Sequence, residues 1–337
     1  MNQQALFYSC RASYREASRI AKELGVPLQK RHFGFFGDGE MKLRMVPHMG
    51  KFDFLKGATV VLFTSTRGDA QENWMETFAT LQGLALYGVK EIVPVFTFLG
   101  YRRQDKEGKE GEIPLLGMIP RIMSVWPIQD VIFGELHNLD ATRAAFNQHG
   151  MAIHEVRADR AFEMICHSLL ERKDIIVASP DSGRLKVVQD AASRFSREAI
   201  GSKKIRPGDD QAEVTLEDVD LTGKHILVRD DEVNTFTTMG KNVTAYRKRG
   251  AIGVTGFSVH GVLSGDAVDL IDDAPIDRLY VSTTVTFPYE KGDRSTDVTP
   301  EETNLGIESK SGKIYFYSLT RDFVAMIRQV LSNKQPL

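Results

Sequence analysis

Asp230 and Asp231 open the stretch RDDEVNTFTT, which follows the apolar run HILV and precedes MGKNVTAYRKRGA, a segment with the polar mixture of an exposed helix. Adjacent carboxylates can accept hydrogen bonds from the hydroxyls of a sugar, and a hydroxyl-rich turn ahead of a helix can hold a phosphate on its backbone amides. A loop that closes on an anion ordinarily carries glycine where the backbone bends, and here that place holds Phe236.

Other chemistry-bearing clusters are FFGDGE, GYRRQDK, ELHNLDATRAAF, SPDSGRLK and SKKIRPGDD. Asp38-Gly39 in the first is a favoured hairpin pair, so a plain turn accounts for it when it is taken alone. GYRRQDK, with Arg103 and Gln104, reads as a solvated charged loop. For His137, after a hydrophobic run, a satisfied core histidine and a ligand at a strand's carboxyl end are both open. Asp181 in SPDSG can cap a helix that begins near Arg184. Lys204 and Arg206 lie in SKKIRPGDDQAE, whose Gly, Pro and charge content predicts a mobile loop. No GxxxxGK[ST] occurs, which excludes a Walker-type phosphate loop.

Positioning such residues calls for strand ends. Short β-rich runs at 58–63, 91–98, 130–136, 174–179, 225–228, 253–259 and 278–284 alternate with helix-length segments such as QENWMETFATLQGLALYG. The alternation predicts an α/β fold of parallel sheets with helices on both faces, which bind ligands at the carboxyl ends of their strands. At 337 residues the chain exceeds one typical domain, and a boundary is expected near Asn147 to Asp159, where the text turns polar. EKGDRSTDVTPEETN reads as a loop, and IYFYSLTRDFVAMIRQVL as a strand followed by an amphipathic helix.

Composition narrows the chemistry further. A net charge of −2 provides no global basic field to gather nucleic acid or anionic lipid, so neither is an expected partner. The two cysteines, Cys10 and Cys166, are too few for a disulfide framework, which suits a reducing cytosol; Cys10 reads as a small buried filler rather than a reactive thiol. No apolar run approaches membrane-spanning length, and the opening MNQQALFYSCRAS lacks the pattern of a secretory leader. A cytoplasmic protein is expected.

Taken together and in order, FGDGE, GYRRQD, ELH, SPDSG, KIRP, DDEVNTFTT and HGVLSG resemble the ribose-phosphate pyrophosphokinases, the enzymes that make phosphoribosyl pyrophosphate. The matches run from Phe36 to Gly265. The resemblance implies two phosphoribosyltransferase-like domains, each a mainly parallel sheet flanked by helices, with residues 1–155 and the closing segment 313–337 in the first and 156–312 in the second. It implies a homo-oligomer, dimers assembled into hexamers, with ATP at a subunit interface. It places ATP on Phe36, Asp38, Glu40, Arg103 and Gln104, and Mg²⁺ with the phosphates at His137 and Asp181. Lys204 and Arg206 become the catalytic pair on a lid, Asp230 and Asp231 the ligands of the ribose hydroxyls, and Asn234, Thr235, Phe236, Thr237 and Thr238 the 5′-phosphate loop.

The departure lies in that loop. The family's D-T-G-G-T reads Asn234-Thr235-Phe236-Thr237-Thr238, with the acid exchanged for its amide and both small middle residues enlarged. In one reading this is drift: Phe236 turns outward and the acceptor is ribose 5-phosphate. In the other, towards which the expectation leans, the acceptor continues past its phosphate, as ADP-ribose does, and Phe236 stacks on the second nucleobase. Family relatives in phages pyrophosphorylate ADP-ribose on a route to NAD, and the altered loop suits that branch. A catalytically quiet regulatory homologue is a further alternative, against which the retained His137, Lys204, Arg206, Asp230 and Asp231 count.

Overall fold

The computed structural model describes residues 5–180, 182–208, 211–216, 219–285 and 310–334, with the backbone alone at 182, 202–208 and 211–216. Asp181 and the whole EKGDRSTDVTPEETN segment fall outside the described residues. The chain divides into two compact units, the first running to Arg157 and regaining the final helix, the second spanning Ala158–Thr283 with the strand that precedes that helix.

In the first unit β1 (Leu6–Ser9) is followed by a hairpin of β2 (Arg31–Phe35) and β3 (Met41–Met45), then by β4 (Thr59–Ser65), β5 (Glu91–Phe98), β6 (Asp130–Gly134) and β7 (Ala152–Val156). Five of these form one sheet in the order β1-β4-β5-β6-β7, parallel throughout, and β2 and β3 pair separately as an antiparallel ribbon. Every residue of β5 is buried, as expected of a strand covered by helices on both faces, which is why its sequence is an apolar run and not an alternation. The core beneath includes Tyr8, Leu62, Trp74, Phe96, Phe133 and Phe146. Cys10 belongs to it, with burial pushing its thiol up to about 11, so the filler reading holds.

The helix Ala70–Leu86 is started by Asp69, whose Oδ1 accepts from the Glu72 amide at 3.2 Å. The final helix, Thr320–Ser332, buries Phe323, Val324, Ile327 and Val330 and packs on the helix Tyr14–Leu24, where Thr320 Oγ1 donates to the buried Glu16 at 2.8 Å. Just beyond it Lys334 pairs with Glu91 and Asp130, the first residues of β5 and β6, and Asp130 also meets His154 Nε2 at 2.6 Å.

The second unit contains β8 (Ile175–Ser179), β9 (Glu198–Gly208), β10 (Gln211–Leu216), β11 (His225–Val233), β12 (Gly253–Gly261), β13 (Arg278–Ser282) and β14 (Ile314–Tyr317), in the order β10-β9-β8-β11-β12-β13-β14. Only the β9–β10 pair is antiparallel. Two expectations change here. The segment around Lys204 and Arg206 is strand and not an irregular loop, because the second half of β9 gains a partner in β10, with Lys204 opposite Val214. The strand at 314–317 completes the second sheet through its parallel register with β13, so residues 313–319 do not join the first unit as expected; only the helix after them does.

Candidate active site

The expected adenine residues sit on the β2–β3 turn. Phe36, Asp38 and Glu40 are all exposed, with the Phe36 amide bonded to the Glu40 carbonyl at 2.8 Å and the Asp38 carboxylate accepting from the Glu40 amide at 3.1 Å. Gly39 takes φ 93, a conformation glycine adopts without strain, which is what Asp-Gly predicts. Phe36 is 51% exposed, with Lys42 Nζ 5.2 Å from its ring centre, so a flat face stands ready for a base.

The base of this hairpin is anchored by charge. Glu76, fully buried in the helix Ala70–Leu86, receives Arg31, the Arg11 amide at 2.8 Å and Arg11 Nε at 3.0 Å, while the Arg11 guanidinium lies 3.4 Å from the Phe33 ring centre. Removing one partner of a buried ion network usually costs about 3–5 kcal/mol, because the remaining charge is left unpaired. Neither arginine stands in a recognisable motif, so sequence reasoning missed them.

Arg103 and Gln104 follow β5, and His137 follows β6, so these three share the carboxyl edge of the first sheet. Arg103 is exposed, and Gln104 Oε1 is buried with no hydrogen-bond partner among the described residues. Two bonds tie their loops together: Arg102 Nη1 donates to the Glu135 carbonyl at 2.9 Å, and Asn138 Nδ2 to Asp105 Oδ2 at 2.6 Å. Asn138 also caps the helix Leu139–Asn147, which fixes the half-buried His137 between a strand end and a helix start. Gly100 is required here, since a Cβ would lie 2.9 Å from the Thr66 carbonyl oxygen. A cavity of about 310 Å³ lined by Lys90, Glu91, Asp130, His154 and Lys334 lies at the opposite, amino end of the sheet and belongs to the Lys334 clamp.

In the second unit β11 runs further than the HILV segment, so Asp230 and Asp231 are strand residues and not part of a loop. Strand alternation sends them to opposite faces. Asp230 is half-buried and its Oδ1 accepts from the Asp231 amide at 2.8 Å. Asp231 is buried, 3.7 Å from Arg184 Nε, a neighbour that the sequence reading took only as a helix start. Beside them β8 ends at Ser179-Pro180, where Asn242 Nδ2 donates to the Pro180 carbonyl at 3.1 Å.

After β11 the chain turns at Phe236, φ 62 and ψ −4, and enters the helix Thr237–Lys248. Phe236 therefore keeps the left-handed bend that glycine would supply. Such a bend costs a side chain of this kind about 1–3 kcal/mol. Its ring is only 4% exposed, and burying a phenylalanine gains about 1.5–3 kcal/mol, enough to offset the strain. Phe236 thus neither turns outward nor offers a face to a second nucleobase, and both pictures of its side chain are corrected. With no capping side chain on Phe236, the first amides of the helix lack an internal acceptor, a ready anion site. Thr235 and Thr237 are exposed with their hydroxyl oxygens 3.0 Å apart, Thr238 is half-buried, and Asn234 Oδ1 is buried without a partner among the described residues. The HGVLSG segment holds this turn from the far side, the Ser264 amide donating to the Asn234 carbonyl at 3.0 Å.

Among the described residues no cluster of three or more His, Cys, Asp or Glu forms a metal cage. A small hard cation that arrives on substrate phosphates needs only one or two protein ligands, chiefly carboxylate oxygens; of the expected pair His137 offers a nitrogen, and the carboxylate, Asp181, lies outside the described residues.

Residues 5–116 match the family described as the N-terminal domain of ribose phosphate pyrophosphokinase. A ribose-phosphate pyrophosphokinase of Caldanaerobacter subterraneus subsp. tengcongensis is 26% identical over 280 residues, covering 82% of this chain and 84% of the relative. The ribose-phosphate pyrophosphokinase 1 of Listeria innocua is 26% identical over 84% of this chain and 86% of its own. The crystal structure of phosphoribosylpyrophosphate synthetase from Mycobacterium smegmatis superposes with a TM-score of 0.82 at 21% identity, over 98% of this chain and 99% of that one, and shows the same fold. Most of the ordered motifs thus stand at the carboxyl ends of strands in two mainly parallel sheets, and the chain is similar to the ribose-phosphate pyrophosphokinases along most of its length, with residues 5–116 matching their N-terminal domain.

Proposed function

We propose that the protein moves the β,γ-diphosphoryl group of ATP to the anomeric hydroxyl of an acceptor that carries a ribose 5-phosphate moiety, releasing AMP. One observation carries the reading: carboxylates at the end of β11 lead within a few residues into a left-handed turn and a free helix N-terminus, so sugar hydroxyls and a 5′-phosphate can be held by one stretch of chain. Phe36 and the β2–β3 turn take the adenine, and Arg103 and Gln104 the nucleotide's polar groups. Asp230 holds the ribose hydroxyls, with Asp231 on the opposite face of β11 beside Arg184. Turning the Asn234 amide over presents a donor to the phosphate, and the helix amides at Thr237 and Thr238 complete the cradle.

With the acceptor fixed, its anomeric oxygen attacks the β-phosphorus in line with the departing AMP oxygen, and Lys204 and Arg206 place positive charge on the transferring group. Mg²⁺ would neutralise phosphate charge when bound, His137 and Asp181 being the residues proposed to meet it. We also propose a homo-oligomer in the cytoplasm.

Ribose 5-phosphate is the acceptor that the relatives' names favour. An acceptor extended beyond the phosphate, such as ADP-ribose, is the second reading; the open rim at Thr235 and Thr237 and the lost acid at Asn234 favour it, while the buried ring of Phe236 gives it no stacking face. The test supplies purified protein with ATP, Mg²⁺ and either acceptor, following AMP and the product's mass. AMP with ribose 5-phosphate alone eliminates the extended acceptor; AMP with ADP-ribose alone selects it. No AMP with either acceptor, phosphate ion present, overturns the catalytic reading in favour of a regulatory subunit.

A further inference from the structure

Gly240 lies in the first turn of the helix Thr237–Lys248, where glycine is a poor choice for helix stability. Nothing in the backbone there demands it, because its φ is not in the left-handed range. What the position lacks is room. A Cβ at Gly240 would sit 3.1 Å from Cε1 and 3.2 Å from Cδ1 of the Phe236 ring, inside the ordinary separation of carbon atoms. The two residues are four apart, so they share a helix face, and the Gly240 amide donates to the Phe236 carbonyl at 2.7 Å, the first hydrogen bond of the helix.

We propose that Phe236 and Gly240 form a compensated pair, in which the side chain absent at Gly240 makes the space that lets Phe236 occupy a glycine bend, and that Gly240 is thereby a positioning residue for the acceptor's 5′-phosphate. The enlargement of the loop at Phe236 is matched by an empty place one turn later. The ring is seated, the left-handed bend persists, and the amides of Thr237, Thr238 and Met239 stay turned towards the anion. The acceptor half of this proposal rests on the diphosphotransfer reading; the packing half does not.

A double-mutant cycle with Gly240→Ala and Phe236→Gly tests both halves. In the parent, Gly240→Ala is expected to lower the thermal midpoint and to raise the acceptor's KM about tenfold, with kcat and the KM for ATP within about twofold. In the Phe236→Gly background the same change is expected to raise the midpoint, as alanine for glycine does in a helix, and to leave the acceptor's KM unaltered. A midpoint shift of the same sign in both backgrounds overturns the pair. An active Gly240→Ala enzyme with unchanged acceptor KM overturns the positioning role alone. A parent that makes no AMP with either acceptor overturns that role together with the proposed function, and the midpoints still decide the packing.

Discussion

Lys204 stands in β9 opposite Val214, on a strand whose first half belongs to the sheet and whose second half pairs only with β10. Its expected role is to meet charge that develops on the diphosphoryl group, an interaction stronger in the transition state than with bound ATP. Lys204→Ala should therefore lower kcat by about 10²–10³ and leave ATP affinity nearly unchanged, as steady-state kinetics and nucleotide titration would read; unchanged turnover would remove the lysine from the mechanism. Carboxylates, threonines and an aromatic residue at fixed spacing are the signal by which the sequence points to sugar, phosphate and base, and the structure sets them at strand ends and turns. Their partners were not. Arg184 reaches Asp231 through the fold, and Gly240 carries no signal until the Phe236 ring is seen beside it.

At the scale of elements, the clamp of Lys334 on Glu91 and Asp130 fastens the end of the chain to the amino ends of β5 and β6. Burial alone would raise the Asp130 carboxyl, but hydrogen bonds from Lys334 and His154 outweigh it and hold the group below the usual carboxylate range. A depressed folded value contributes stability above the unfolded value and loses it as pH falls through the folded one. Lys334→Met should thus cost about 1–3 kcal/mol at neutral pH, and its melting difference from the parent should shrink as the solution is acidified below about pH 4. A difference that stays constant from pH 7 to pH 3 would show that the clamp is not electrostatic. Elements buried on both faces were the legible ones: the runs at 91–98 and 253–259 became strands with every residue buried. The β9–β10 ribbon was missed because Pro207, Gly208 and the surrounding charges mimic a loop when the cross-strand partner is unknown. The reach of β11 was underestimated because Asp230 and Asp231 interrupt an otherwise apolar pattern.

For the whole molecule, the two sheets and their alternating helices followed from periodicity, whereas the route of the chain between units did not, since neither composition nor spacing says which sheet a strand will join. The proposed homo-oligomer is a property of the whole molecule that a mass measurement decides. Light scattering should give a mass that is a multiple of 37.8 kDa; the single-chain mass at assay concentration would overturn the oligomer. The return of the final helix to the first unit also sets an order of events during synthesis. Roughly 160 residues, most of them in the second unit, separate Arg157 from Thr320, and a ribosome adding about 5–20 residues per second needs on the order of 10–30 s to deliver them. Throughout that interval the helix Tyr14–Leu24 lacks its cover, and Glu91 and Asp130 lack their cation. The unit translated first therefore waits for its last helix until nearly all of the second unit has been made.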